Sequence, residues 1–233
     1  ELKCEPFKKI GIKTLKPFKI NKNINKAIKK ISKINKKILD SRLFPITLGG
    51  EHSITPGCIK PFVKKYKNIT LLHFDAHADL RETYAGEKFS HASAIKRCLD
   101  YKNVSVISFG IRNISAEEIP ILNKNKKRIK IYWAKDKKKW DLKKFKKIIK
   151  NRNVYITFDV DGLDSSIMPA TGTPEPGGIF WDEALEIIKI ACKNSKIVGA
   201  DVNELAPIKG FNSYNFLVAK LVYKILSYKF LLK

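Results

Sequence analysis

Acidic residues are few in this sequence of 233 residues: 22 against 47 lysines and arginines, for a formal charge of +25. Such an excess would suit a protein that meets phosphates. Yet Arg is scarce, the lysines are scattered, and no alternation of aromatic and basic residues marks a platform for stacked bases. Lysines spread over solvated faces account for the charge, and nucleic acid is disfavoured as a partner. Cysteine is also sparse. Cys4, Cys58, Cys98 and Cys192 are far apart with no C-x-x-C pair, which argues against a zinc ribbon or a dithiol redox motif. No apolar run reaches 18 residues and no signal peptide is visible, so no membrane partner is expected. Reduced thiols and a cytoplasmic location follow as expectations. The dinucleotide fingerprint G-x-G-x-x-G, the Walker loop and the G-x-S-x-G elbow are all missing.

What is present is the alternation of an α/β protein. Apolar residues make up 44% of the chain, and its length suits a single domain, residues 1–233, with a sizeable core. Short apolar runs predict strands over residues 9–15, 45–48, 69–74, 104–109, 129–133, 154–158 and 197–202. Between them, Ile24, Ala27, Ile28, Ile31, Ile34 and Ile38 repeat at helical spacing with lysines on the outer face. Thr55-Pro56 reads as an N-cap with Pro at the first helical position. Further helices are expected over residues 90–99, after Asp141 and Asp182 as caps, and over residues 213–230. Strands alternating with helices predict a mainly parallel sheet covered on both faces, in three layers.

The chemistry collects at strand ends. The run from Ile69 to Phe74 leads into Asp75, His77 and Asp79, three metal-competent side chains at alternate positions. Extended geometry carried past Phe74 would put all three on one side. Unpaired buried charges are costly, and a cation relieves that cost. His52 follows the strand that stops at Gly49-Gly50, Asp159 and Asp161 follow Phe158, and Glu204 follows the last strand. In an open α/β sheet, ligands bind beyond the carboxyl ends of the strands, so all of these point to one rim. Oxygen-rich ligands with imidazole and no thiolate suit manganese, and two such ions can turn water into hydroxide near neutral pH.

Five segments carry a resemblance: Gly49-Gly50-Glu51-His52-Ser53, Asp75-Ala76-His77-Ala78-Asp79, Phe158-Asp159-Val160-Asp161-Gly162-Leu163-Asp164, Thr171-Gly172-Thr173-Pro174, and Asp201-Val202-Asn203-Glu204-Leu205-Ala206-Pro207. In this order they resemble the ureohydrolase family of arginases and agmatinases, and are most similar to archaeal-type agmatinases. The resemblance implies a three-layer α/β/α arginase-like fold and two manganese ions per chain. It implies hydrolysis of a guanidinium to urea and an amine, and a homo-oligomer, trimer or hexamer. Carried over, the metal ligands are His52, Asp75, His77, Asp79, Asp159 and Asp161. His91 takes the place of the acid/base histidine, Asp161 also serves as a catalytic group, and Glu204 holds the small cationic guanidino substrate.

The departures shape the expectation further. Glu51 replaces the more usual Asp, which should matter little if His52 is the ligand. The loop after Asp79 lacks the Ser-Gly-Asn-Leu-His-Gly run by which arginases grip an α-amino acid, so agmatine is the expected substrate and putrescine, on the way to polyamines, the product. Arginase or guanidinobutyrase activity, or a non-catalytic basic relative that binds nucleic acid, are the alternatives. The family's first strand, ending in Gly-x-Pro-Tyr/Phe-Asp, and its Gly-x-Arg-x-Gly-Pro loop are not found. An N-terminally truncated chain is therefore expected, with a gap in the core and less than full activity.

Overall fold

The computed structural model describes residues 2–232. Its six strands form one all-parallel sheet in the order β1-β6-β5-β2-β3-β4. The strands are β1 (Ile46–Leu48), β2 (Ile69–Phe74), β3 (Val104–Phe109), β4 (Ile129–Tyr132), β5 (Asn153–Asp159) and β6 (Lys196–Asn203). The helices are α1 (Pro6–Ile10), α2 (Ile24–Asp40), α3 (Thr55–Lys65), α4 (Ala94–Leu99), α5 (Ile119–Lys124), α6 (Leu142–Ile149), α7 (Trp181–Asn194) and α8 (Asn212–Leu231).

Strand alternation divides the core in two. Leu72, Phe74, Ile156 and Phe158 pack with Phe145 of α6, Ile188 of α7 and Leu221 of α8. Leu71, Val106 and Tyr155 point the other way, into Ile31 of α2, Phe62 of α3 and Cys98 of α4. Both sheet faces are thus apolar, as a parallel sheet buried between helices requires. This is the three-layer α/β/α arrangement expected.

Several local expectations change. Residues 9–15 are not a strand: α1 ends at Ile10, and Ile12 and Leu15 lie about half exposed in irregular chain without a pairing strand. Thr55 does not cap α3. A short 3-10 turn over His52–Ile54 runs straight into the helix, and the Thr55 hydroxyl bonds Asp201 instead. Asp182 lies inside the first turn of α7, where Glu183 accepts the Phe180 N–H at 2.8 Å and does the capping. Asp141 caps α6 as expected, accepting from Lys144 N. The short helix α5 has no sequence counterpart above, because its six residues are too few to show a period. The six strands pair without interruption, so no gap divides them; β1 forms one edge, with Leu48 exposed.

Candidate metal centre

The polar residues gather at the carboxyl ends of β1, β2, β5 and β6. Strand β2 stops at Phe74, so strand geometry does not carry Asp75, His77 and Asp79 to one side. A loop does it. The Asp75 carboxylate accepts the backbone N–H of His77 at 2.6 Å, an Asx turn that folds the chain back on itself. Asp79 then takes a left-handed backbone, φ +52°. A non-glycine residue in that region is uncommon and is kept where its surroundings demand it. Gly162 lets the loop after β5 pass against this turn: a Cβ there would lie 2.6 Å from Asp75 N.

Asp75 is the hub. Its Oδ2 lies 3.1 Å from Nδ1 of His52 and 2.8 Å from Nε2 of His73. Its Oδ1 lies 3.5 Å from Nδ1 of His77. Around His52 Nδ1 stand Asp79 at 2.9 Å and Asp159 at 3.6 Å. Around His77 Nδ1 stands Asp161 at 3.0 Å. The six residues expected as ligands therefore meet in two adjoining clusters that share Asp75. All are buried except His77, which is partly exposed.

Charge balance explains how these groups coexist. Burial works against a charged His52, but the carboxylates of Asp75 and Asp79 close to its Nδ1 hold it well above its ordinary value. Burial likewise opposes His77, yet Asp161 and Asp75 raise it to about 11. Burial pushes Asp79 up to about 7, assisted by the charge of Asp75, and it raises Asp159 and Asp161 too. Asp75 goes the other way. Burial would raise it, but the imidazoles of His52 and His73 beside it hold it well below the usual carboxylate range.

The donors fit a pair of divalent cations. Nε2 of His52 is occupied by Thr157 Oγ1 at 2.9 Å, which leaves Nδ1 as the free nitrogen. That atom is buried and has no directed hydrogen bond, though carboxylate oxygens ring it. A lone pair aimed at a shared cation has this arrangement; a proton donor would have one oxygen in line. The donor atoms of Asp75, His77 and Asp161 also lie within 4.8 Å of one another. His73 joins His52 and Asp75 in a second such group. However, its ring nitrogens already face Asp75 and Ser108, at 2.8 and 3.0 Å, so it orients Asp75.

Glu204 and His91 stand at the mouth. Glu204 is half-buried, has a left-handed backbone (φ +66°), and accepts the His52 N–H at 2.6 Å. Burial raises its carboxyl, and that hydrogen bond opposes the rise. His91 is exposed and pairs through Nδ1 with Glu51 at 3.2 Å, with the Tyr84 ring at 5.3 Å. Glu51, a departure from the family pattern expected to matter little, thus ties His91 to the turn that holds His52. Asp164 stays out of the clusters; it accepts the N–H groups of Ser166 and Gly178 and closes its own loop.

Arg112 is another residue that the motifs passed over. Its guanidinium donates to the carbonyls of Gly110, Asp161, Gly162, Leu163 and Glu175 at 2.7–3.4 Å. It fastens the loop that carries Asp161 to the end of β3. Only its place three residues past a strand end, after Gly110-Ile111, hinted at this.

An all-parallel α/β sheet with two adjoining clusters of metal-competent side chains at its carboxyl rim is the class that fold and site define. A family model described as the arginase family matches residues 1–227, and the chain belongs to that family, one of binuclear metal hydrolases. The chain is 33% identical over 189 residues to the N(1)-aminopropylagmatine ureohydrolase of Synechocystis, which covers 79% of the chain and 60% of that protein. It is 38% identical over 196 residues to the agmatinase of Bacillus anthracis, 80% of the chain and 63% of the relative. The chain thus spans somewhat under two thirds of the length of these relatives. The crystal structure of the agmatine ureohydrolase of Thermoplasma volcanium superposes with a TM-score of 0.81 at 30% identity, covering 91% of this chain and 71% of that one.

Proposed function

We propose that the chain is the catalytic unit of an agmatinase-like ureohydrolase that cleaves agmatine to putrescine and urea. The observation that carries this reading is the pair of clusters around Asp75, with Glu204 beside them where a guanidinium could be held. The names of the relatives support the substrate class. His52, Asp79 and Asp159 would hold one divalent ion, His77 and Asp161 the other, and Asp75 both; manganese suits these donors. When bound, the two ions supply the Lewis acidity that makes hydroxide available near neutral pH.

The remaining work falls to side chains. The Glu204 carboxylate pairs with the planar, permanently charged guanidinium and presents its carbon to the attacking water. Asp161 Oδ2, which accepts from Thr173 Oγ1 at 3.3 Å, receives a proton from that water. As the C–N bond to the diamine breaks, His91 passes a proton to the leaving nitrogen, held in place by Glu51. The rim gathers Glu51, Asp75, Asp79, Asp159, Asp161, Glu175 and Glu204, so a dicationic substrate meets a local field opposite to the +25 of the whole chain. Four free cysteines, two of them buried, support a reducing compartment, and the cytoplasm is part of the same proposal. So is a homo-oligomer. Among the described residues no helix is long and apolar enough to cross a membrane.

The test is urea release with added manganese, on agmatine, N(1)-aminopropylagmatine, arginine and guanidinobutyrate. Agmatine should give the highest kcat/KM. A preference for arginine or guanidinobutyrate would overturn the substrate assignment. No urea from any of the four, by a chain that binds two manganese ions, would overturn the activity.

A further inference from the structure

The opposite pole of the sheet carries the reverse charge. The amino-terminal ends of the strands open onto a cavity of about 490 Å³. Lys67, Lys102, Arg128 and Arg152 line it, each one or two residues ahead of β2, β3, β4 or β5. The rest of its lining is uncharged, and no carboxylate is among it. Parallel topology causes this convergence, because it brings four separate strand entries to one place.

Part of this floor is fixed in advance. The Arg128 guanidinium donates to the carbonyls of Tyr101, Val104 and Leu99 at 2.9–3.2 Å and to Asn125 Oδ1 at 2.7 Å. All four acceptors are neutral, so the cation is held still and its charge is left uncompensated. Asn103 is pinned in the same way, donating to Val63 O and Tyr66 O at 3.0 and 3.1 Å. Lys67, Lys102 and Arg152 are exposed around that floor, and none of the three is paired with a carboxylate among the described residues. A second hollow of about 430 Å³, edged by Lys150, Lys193 and Lys196, adjoins the first through Asn151.

Lysines elsewhere, such as Lys29 and Lys33 on α2, stand on an outer helix face and border neither hollow. Here the cations surround a recess of the size that takes small ligands. Clustered Lys and Arg with free donors select phosphate oxygens, through charge-assisted and forked hydrogen bonds. Two adjoining basic hollows suit a chain of phosphates better than one. We propose that this pole binds a small polyphosphate anion, either inorganic tripolyphosphate or the triphosphate of a nucleotide. Strands of six or seven residues put it roughly 20 Å from the acidic rim, which would repel the same ligand.

The experiment is calorimetric titration of the full chain at physiological salt with tripolyphosphate and, separately, with adenosine triphosphate. The double variant Lys102→Gln/Arg152→Gln is compared with Lys29→Gln/Lys33→Gln on α2. One anion should bind per chain, roughly tenfold or more weakly in the pocket variant, the scale of one or two lost charge-assisted hydrogen bonds, and within about twofold of normal in the control. Equal affinity for the two anions assigns the site to the phosphates alone. Tighter binding of the nucleotide adds contacts to its base, and either result upholds the proposal. Lys67→Gln reads the same loss should the double variant not fold. The proposal is overturned by the absence of saturable one-to-one binding, or by equal losses in pocket and control variants. Polyphosphate binding indifferent to the pocket variants would overturn it too, placing the anion elsewhere. So would single-stranded RNA that displaces tripolyphosphate equally well from both variants.

Discussion

The carboxylate of Asp201 stands two hydrogen bonds behind the ring of His52. Nε2 of His52 meets Thr157 Oγ1 at 2.9 Å, and that hydroxyl donates to Asp201 Oδ1 at 2.7 Å. Thr55 and Asn203 donate to the same oxygen, at 3.1 and 2.6 Å. All of these residues are buried. The relay fixes which imidazole nitrogen carries the proton and turns Nδ1 toward the carboxylates, as supports behind a metal-binding histidine do elsewhere.

Thr157→Val keeps the shape and cuts the relay. Manganese affinity should fall about 10–100-fold, the usual cost of losing such a support. A further cost of about 1–3 kcal/mol in stability is expected, since Asp201 loses a donor inside the core. Affinity is read by titration and stability by urea unfolding. Unchanged affinity would make the relay a purely structural feature.

Metal removal gives the second prediction. Chelation should abolish urea release, and manganese should restore it with two ions per chain. In the metal-free protein His77 is held protonated, up to about 11, and Asp79 up to about 7. Bound cations need both deprotonated, so binding releases protons and strengthens as pH rises, for instance from about pH 6 to about pH 8. Calorimetry in buffers of different ionisation enthalpy counts the protons. Proton-neutral binding would mean that neither His77 nor Asp79 is a ligand.

Glu204→Gln removes the charge but keeps an oxygen able to accept from His52 N. A broken, desolvated charge pair costs about 2–5 kcal/mol, so kcat/KM on agmatine should fall roughly 30- to several-thousand-fold. Both manganese ions should stay. Near-normal efficiency, or loss of metal, would refute the substrate-holding role.

His91 sits at the mouth, paired with Glu51, and no metal-cluster donor is among its contacts in the structure. His91→Ala should therefore lower turnover by about 10²–10³-fold, the scale of general acid–base catalysis, with metal content intact. Glu51→Gln should have a smaller effect in the same direction, because it loosens His91 without removing it. A variant at His91 that binds fewer metal ions would contradict this assignment.

Arg112→Met deletes the donor of five carbonyls around the Asp161 loop. Part-buried carbonyls left without partners cost about 1–3 kcal/mol each when dry, and water will rescue some of them. A total loss of roughly 3 kcal/mol or more is expected in urea unfolding, together with weaker manganese binding. If the variant is as stable as the parent, the loop is held by other contacts.

Much of this was legible in the chain itself. Short apolar runs such as 69–74 and 104–109 mark buried strands because a parallel sheet is covered on both faces. The strand-end positions of His52, Asp75, Asp159 and Glu204 place them on one rim by topology alone. Thr55 misled because a hydroxyl before Pro looks the same as a cap or as a buried donor. Only the position of Asp201 across the fold tells the two apart. An extended chain past Phe74 would put Asp75, His77 and Asp79 on one side, whereas a turn made by the Asp75 carboxylate is what brings them together.

The local pattern by itself determined strands, helices and the rim where metal-competent groups collect, since period and strand ends depend on neighbours along the chain. Register was left to the tertiary structure. Pairing sets Ser108 beside His73, His73 beside Thr157, Thr157 beside Asp201 and Asp201 beside Thr47. A polar row thus runs across five strands beneath the candidate metal centre, on the sheet face that carries Leu71 and Tyr155. Each of its members interrupts an apolar strand and looks like an isolated polar residue in its own segment. A one-residue slip in any strand would turn that strand's member to the opposite face. Packing of α3 against the sheet holds the register and brings His52 down onto the row.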